Sequence, residues 1–156
     1  MINKEGQICR NLYFINDGLV KHYYHHKNRI FILRFFTENN FFTALDSFIK
    51  QIPAEFMTVA MEDTTTTFID YYDLEELGKK HHSIETFIRK YISIAAVNTL
   101  KRYKELLDKD ATELYRSFII ENQPLLQRIS LGDIASYIGI SQVTLSRIRA
   151  KTDFLT

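Results

Sequence analysis

Residues 131–151 read Leu131-Gly132-Asp133-Ile134-Ala135-Ser136-Tyr137-Ile138-Gly139-Ile140-Ser141-Gln142-Val143-Thr144-Leu145-Ser146-Arg147-Ile148-Arg149-Ala150-Lys151, and the spacing within this stretch decides the reading of the C-terminal part of the chain. Two short helices that meet at a steep angle need a small residue where their axes approach, and Ala135 stands in the middle of the first. Gly139 falls where that helix must stop, because a left-handed residue there satisfies terminal carbonyls and turns the chain. Ile140 plugs the turn, and Ser141 can cap the second helix. Ile134, Ile138, Leu145 and Ile148 supply a shared apolar interior. The pattern predicts a helix-turn-helix.

Everything else on the second helix is left to face outward. Gln142, Val143, Ser146 and Arg147 are the candidate base readers, since Gln and Arg make bidentate contacts to adenine and guanine edges in the major groove. Ser141, Thr144, Arg149 and Lys151 on the flanks suit phosphate oxygens. Small, glycine, cap and apolar positions coincide here, which a solvated helical hairpin would not require.

Upstream, Asp110 followed by Glu113 fits a capping box that opens a helix carrying Leu114, Phe118 and Ile119, and Pro124 marks its break. Before that, apolar residues recur at helical spacing at Ile84, Phe87, Ile88, Tyr91, Ile92, Ala95, Leu100, Tyr103, Leu106 and Leu107, with no Pro or Gly between. A helix over 83–107 is too long to bury that surface on a small β domain, so the stripe is expected to be a dimer seam. Before residue 72 the pattern differs. Apolar runs at 12–15, 19–24, 30–36, 56–61 and 65–70 are separated by Asn16-Asp17-Gly18, Thr37-Glu38-Asn39-Asn40 and Glu62-Asp63-Thr64. These read as antiparallel strands, with Asp17-Gly18 as one hairpin corner and 56–70 as a second hairpin.

Composition bounds the rest. The 156 residues are 46% hydrophobic and 13% aromatic, which is the make-up of a folded chain and not of a disordered one. A formal net charge of +1 means that any nucleic-acid contact must come from a local surface. Cys9 is the single cysteine, so no internal disulfide or all-cysteine metal site is expected, and a reducing cytoplasmic setting fits. No apolar run reaches the roughly 20 residues that span a bilayer, and no signal-peptide layout opens the chain, so no membrane role is expected.

Two segments together resemble the cyclic-AMP receptor and fumarate–nitrate (Crp–Fnr) regulators. Gly6-Gln7-Ile8-Cys9 with Leu12-Tyr13-Phe14-Ile15-Asn16-Asp17-Gly18-Leu19-Val20 is similar to the opening of the family's sensory β-roll, and 134–149 to its DNA-reading helices. Phe35-Phe36, Phe41-Phe42 to Phe48, and Asp73-Leu74-Glu75-Glu76-Leu77 fall between them in the family's order. The resemblance implies an α+β fold: a jelly-roll β-roll (1–82), a dimerisation helix (83–109) and a helix-turn-helix domain of winged-helix type (110–156). It implies a homodimer on a pseudo-palindromic operator, with Arg147 reading guanine and Val143 facing a thymine methyl where the family often has Glu.

The same resemblance marks departures. The family's cyclic-nucleotide clasp is a Gly-Glu pair for the ribose and an Arg-Ser or Arg-Thr pair for the phosphate. Its first position falls in Thr43-Ala44-Leu45-Asp46-Ser47, without Gly-Glu, and its second near Glu55-Phe56-Met57-Thr58, without Arg. A branch with a degenerate nucleotide site is implied, and Cys9 alone cannot hold an iron–sulfur cluster. The resemblance also implies that the chain opens inside the roll, leaving an edge strand exposed, and that 152–156 are too short for a full wing. The implied partners are double-stranded DNA, a second copy of the chain, an effector of unread identity and RNA polymerase, with no cofactor and no enzymatic activity.

Other features weigh less. His22, His25 and His26 invite comparison with cupin-like metalloenzymes, but adjacent His25 and His26 lack the His-x-His spacing of such sites. His81-His82 suits a helix end, and Lys101, Arg102 and Lys104 suit a solvated helix face. A hydrophobic effector pocket in the Phe-rich run 35–48, and a β-roll interaction or small-molecule module without DNA binding, are the remaining alternatives.

Overall fold

The computed structural model describes residues 1–151. The chain forms two compact units, Met1–Lys90 and the part from Tyr91 onward, so their boundary falls inside the long helix.

The first unit contains two three-stranded antiparallel sheets. In one, β1 (Asn11–Asp17) lies between β4 (Phe41–Phe42) and β6 (Thr65–Asp70); in the other, β2 (Val20–His26) lies between β3 (Arg29–Phe36) and β5 (Met57–Ala60). Ile15, Val20, Phe36 and Phe42 form a buried cluster with Ile2 and Tyr13 against it, so both sheets contribute to one core. On β2 the two-residue period sends Val20 and His22 inward.

The strands are where the sequence predicts them, but two expected pairings are corrected. Asn16-Asp17-Gly18 is not a hairpin corner: β1 and β2 do not pair, and the chain crosses there from one sheet to the other. The run 56–70 is likewise a crossover, with β5 on β2 and β6 on β1. A turn does form at the first of these places, since Gly18 has φ +106. What a turn dipeptide does not encode is which strand the next segment joins. The two corners instead meet each other: the Met61 amide donates to the Leu19 carbonyl at 2.8 Å, and a Cβ on Gly18 would lie 2.7 Å from Thr64 Cα. The tight hairpin is β2–β3, closed by Lys27 and Asn28 with φ 47 and 61.

After α1 (Leu45–Lys50), helix α2 (Tyr71–Lys80) starts where the Asp70 carboxylate accepts from the Tyr72 amide. It ends at His81, and α3 (His82–Asp108) begins one residue before the expected start. None of the 27 residues of α3 is fully buried. Seven of the ten residues of the predicted apolar stripe fall in two rows, which take in polar and small residues as well. Ile84, Ile88, Tyr91, Ala95, Asn98, Arg102 and Glu105 recur at steps of four and three and are half-buried. Ser93, Ala96, Leu100, Tyr103 and Leu107 recur at steps of three and four on the other side; Leu100, Tyr103 and Leu107 are 62–68% exposed.

In the second unit α4 (Ala111–Glu121) opens with the predicted capping box: Asp110 Oδ1 accepts from the Thr112 and Glu113 amides, and Glu113 Oε2 accepts from the Asp110 amide at 2.9 Å. A single 3-10 turn at Gln123–Leu125 holds Pro124 and leads to α5 (Leu131–Ile138) and α6 (Gln142–Lys151). Among the described residues no helix is long and apolar enough to cross a membrane.

Candidate DNA interface

The α5–α6 pair is built by the residues the spacing singles out. Ser130 caps α5, accepting from the Asp133 amide at 3.0 Å while Asp133 reaches back to the Ser130 amide. This second capping box is written in the sequence as Ser-x-x-Asp, a signal that the sequence reading missed. Ala135 is 2% exposed at the helix crossing, and Gly139 ends α5 with φ +89. Its amide and that of Ile140 both donate to the Ala135 carbonyl, closing the helix end. Leu145 is wholly buried, with Ile134 and Ile138 also in the interior.

At 3.6 residues per turn, Gln142, Val143, Ser146, Arg147 and Ala150 lie opposite Leu145 and Ile148, and all five are exposed. Val143 at 62% exposure is an apolar side chain presented to the outside, where no packing need explains it. Gln142 extends back over α5, its Oε1 lying 3.3 Å from where a Cβ on Gly132 would sit. Ser141 Oγ accepts from the Thr144 amide at 3.0 Å and shares a 2.8 Å hydrogen bond with Thr144 Oγ1, so the pair retains one hydroxyl hydrogen for an external acceptor. Arg149 and Lys151 are exposed at the last turn. The wing expectation concerns Thr152–Thr156, which lie outside the described residues.

Arg102 departs from its expected place on a solvated face. It is half-buried, its guanidinium 4.1 Å from the Tyr137 ring centroid and donating to the Tyr137 carbonyl at 2.7 Å. Glu105 lies 3.8 Å from Arg102 and 3.3 Å from Lys109, which in turn donates to Ser117 Oγ at 2.8 Å. Lys101 pairs with Glu121 at 2.8 Å. These side chains tie the end of α3 to α4 and α5. The signal is present in the sequence, because Arg102 continues the row of Ile84, Ile88, Tyr91 and Ala95.

In the β-roll, the two segments aligned with the nucleotide clasp are joined to each other through His22. Its Nδ1 lies 2.8 Å from Thr58 Oγ1 and its Nε2 lies 3.2 Å from the Thr43 carbonyl. A carbonyl only accepts, so Nε2 carries the proton and Thr58 donates to Nδ1. The ring packs against Phe36 and Phe56 with centroids at 4.6 and 4.9 Å. Beside it Cys9, Ala44 and Ala54 form a buried cluster with Phe56 against it, and the Cys9 amide donates to Ser47 Oγ at 2.9 Å. A cyclic nucleotide does not fit these residues. Small apolar side chains are packed into the clasp segments, Thr43 and Thr58 are engaged by His22, Asp46 carries a buried Oδ1 with no hydrogen-bond partner, and neither segment holds an Arg or Lys to meet a phosphate.

Burial lowers the His22 pKa from 6.5 to about 3, with the nearby Arg34 charge adding to the effect against the Thr43 hydrogen bond. The folded value is depressed, so the stabilisation from neutral His22 is complete above about pH 6.5 and is lost as pH falls towards 3. Between pH 7 and pH 5 the roll should lose about 2 kcal/mol through this group. The difference in urea stability between the parent and His22→Gln should shrink by that amount over the interval. A constant difference would contradict it. His25 and His26 are exposed at the far end of β2, and among the described residues no group of three or more His, Cys, Asp or Glu side chains could hold a metal ion.

A β-roll followed by a long helix and a helix-turn-helix is the architecture of Crp–Fnr regulators. Residues 1–81 match the family model of the cyclic nucleotide-binding domain. The chain belongs to that family. Among solved structures it is similar to FixK2 from Bradyrhizobium japonicum, with a TM-score of 0.84 and 19% identity over 96% of this chain and 78% of that one. It is similar also to the c-di-GMP responsive global regulator CLP of Xanthomonas campestris (TM-score 0.76, 18% identity, 96% and 80% covered). A CRP-family transcriptional regulator from Thermus thermophilus gives a TM-score of 0.76 at 16% identity, with 96% and 78% covered. At these identities the likeness establishes the shared fold. No curated protein sequence matches the chain.

Proposed function

We propose that this chain is a cytoplasmic, non-enzymatic transcription regulator of the Crp–Fnr type that binds double-stranded DNA as a homodimer. The observation that carries the reading is the outward face of α6. It presents Gln142, Val143, Ser146 and Arg147 to solvent on a helix whose other side is anchored by a wholly buried Leu145. Those four read base edges, while Ser141, Thr144, Arg149 and Lys151 contact phosphates. The exposed row Ser93, Ala96, Leu100, Tyr103 and Leu107 supports a parallel pairing of two α3 helices, because the side chains of Ala96, Leu100, Tyr103 and Leu107, exposed at heptad spacing, are stabilised by a second copy. Domain limits of 1–82, 83–109 and 110–156 follow from those roles. Paired copies set two α6 helices in successive major grooves about 34 Å apart.

The packed clasp supports an input other than a cyclic nucleotide. An effector on the roll, and RNA polymerase at a promoter, are the further partners of such a regulator. The effector acts by shifting the orientation of the reader about 107–110, a movement that breaks the contacts of Lys101, Arg102 and Lys109 with α4 and α5.

Selection of bound sequences from a random duplex pool tests the reading: an inverted repeat is expected, and a pool without enrichment would reject it. Arg147→Ala should cost about 1–3 kcal/mol at one base pair of each half-site and relax preference there. Lys151→Ala should weaken binding to all sequences alike and reduce the salt slope by about 1.

A further inference from the structure

The β2–β3 hairpin carries a charge pattern that the reader helix does not use. From Gly18 to Phe36 the sequence contains Lys21, Lys27, Arg29 and Arg34, three further donors in His25, His26 and Asn28, the buried His22, and no Asp or Glu. β5 pairs with β2 only from Val20 to Tyr23. Beyond that point the hairpin continues as a two-stranded ribbon, with Tyr24 opposite Phe31, His25 opposite Ile30 and His26 opposite Arg29. His25, His26, Lys27, Asn28 and Arg29 are all exposed at its end. The length of β2 from Val20 to His26 separates that end from the hairpin's root by about 20 Å, about two and a half times the Debye length at physiological salt. Glu38, bonded to the Gly18 amide at 3.1 Å, stands at that root. Glu55, exposed and two residues ahead of β5, offsets one charge at most.

Aromatic rings give the tip a defined shape. Tyr24 and Phe31 stack at 5.4 Å with planes 18° apart, the Arg29 guanidinium sits 5.4 Å from the Phe31 centroid, and the His26 ring is 6.4 Å from it. On the other strand face Tyr23 and His25 are 5.6 Å apart. Cations placed on rings lose less freedom on meeting a partner than cations on unsupported side chains.

We infer that the tip of the β2–β3 ribbon, His25, His26, Lys27, Asn28 and Arg29, is a second DNA-contacting surface that grips the phosphodiester backbone of a duplex. The inference rests on the proposed DNA-binding role for the choice of polyanion. Each of the five side chains can donate hydrogen bonds to phosphate oxygens, and a two-stranded ribbon has the width that a major groove admits. The turn itself is Lys27-Asn28, with no apolar side chain at the apex to enter a bilayer.

The test uses the full chain and a duplex of random sequence, with binding followed by fluorescence anisotropy across a salt series. Lys27→Asn and Arg29→Gln are combined in one variant; asparagine tolerates the positive φ at position 27, so the turn is kept. Loss of two phosphate contacts should make the slope of log K against log salt shallower by about 1.8. A second variant neutralises the reader with Arg147→Gln, Arg149→Gln and Lys151→Gln. Residual salt-dependent binding in that variant, abolished by adding the ribbon substitutions, supports the ribbon even if the reader assignment fails. An unchanged affinity and slope in the ribbon variant, with an unchanged melting temperature, overturns the ribbon and leaves the reader standing. Ribbon-dependent binding to poly-glutamate or to anionic phosphatidylserine vesicles, without ribbon-dependent binding to duplex, also overturns it.

Discussion

Gly18→Ala should destabilise the β-roll by about 2–6 kcal/mol, a large share of the roughly 5–15 kcal/mol that holds a domain of this kind together. Two costs combine. Gly18 has φ +106, a conformation that an L-residue adopts only under strain. The added methyl would also lie 2.7 Å from Thr64 Cα and 2.8 Å from the Asp63 carbonyl oxygen, and backbone atoms at a second corner cannot swing aside as a side-chain end would. Gly139 separates the two costs. Its φ is +89, but a Cβ there meets nothing within 4 Å, so Gly139→Ala should cost only strain, about 1–2 kcal/mol. Urea unfolding followed by tyrosine fluorescence compares them. Equal losses at the two positions would show that the corner at Thr64 yields.

Gly18 also shows how far the roll is legible in the sequence. Asp17-Gly18 announces a turn, because turn chemistry is local, and the strands on either side follow from runs of apolar residues. The pairing of β1 with β4 and β6, and of β2 with β3 and β5, depends on contacts between segments far apart in sequence, to which a dipeptide is blind. The helix-turn-helix is legible almost entirely, for the opposite reason. Its determinants, Ala135, Gly139, Ser141 and Leu145, lie close together in sequence and act on one another directly. The capping box at Asp110 is legible on the same ground.

His22 and Arg102 lie between these cases. Residue type draws attention to each, but towards a metal in one case and solvent in the other. The positional signals point inward: His22 stands two residues from Val20 on a strand, and Arg102 seven from Ala95 on a helix. A polar residue in an apolar register is a buried polar group with partners to find, and both have found them in backbone carbonyls. The ribbon from Lys21 to Arg34 is visible in the sequence as two apolar runs and three histidines. Its meaning as a surface depends on β5 pairing no further than Tyr23, which no composition count reveals.

Arg102→Ala should lower the stability of the second unit by about 2–5 kcal/mol, from a charge-assisted hydrogen bond worth about 1.5–3 and a stacked cation worth about 0.5–2. The Arg102 side chain is 20% exposed, so solvent screens these contacts little, and its removal leaves Glu105, 15% exposed, with the lysines alone to balance it. The effect should reach the reader, because Tyr137 lies one residue before the end of α5 and its carbonyl belongs to the helix end that Gly139 closes. Amide exchange at Ile134, Ala135 and Ile138 should therefore accelerate, and DNA affinity should fall although no DNA-facing residue has changed. Arg102→Lys keeps the charge but has no planar fork to stack on Tyr137 while donating to its carbonyl, so it should recover less than half of the loss. Full recovery by lysine would mean that charge alone holds this end of α3 to α5, and that the ring contact at 4.1 Å contributes nothing.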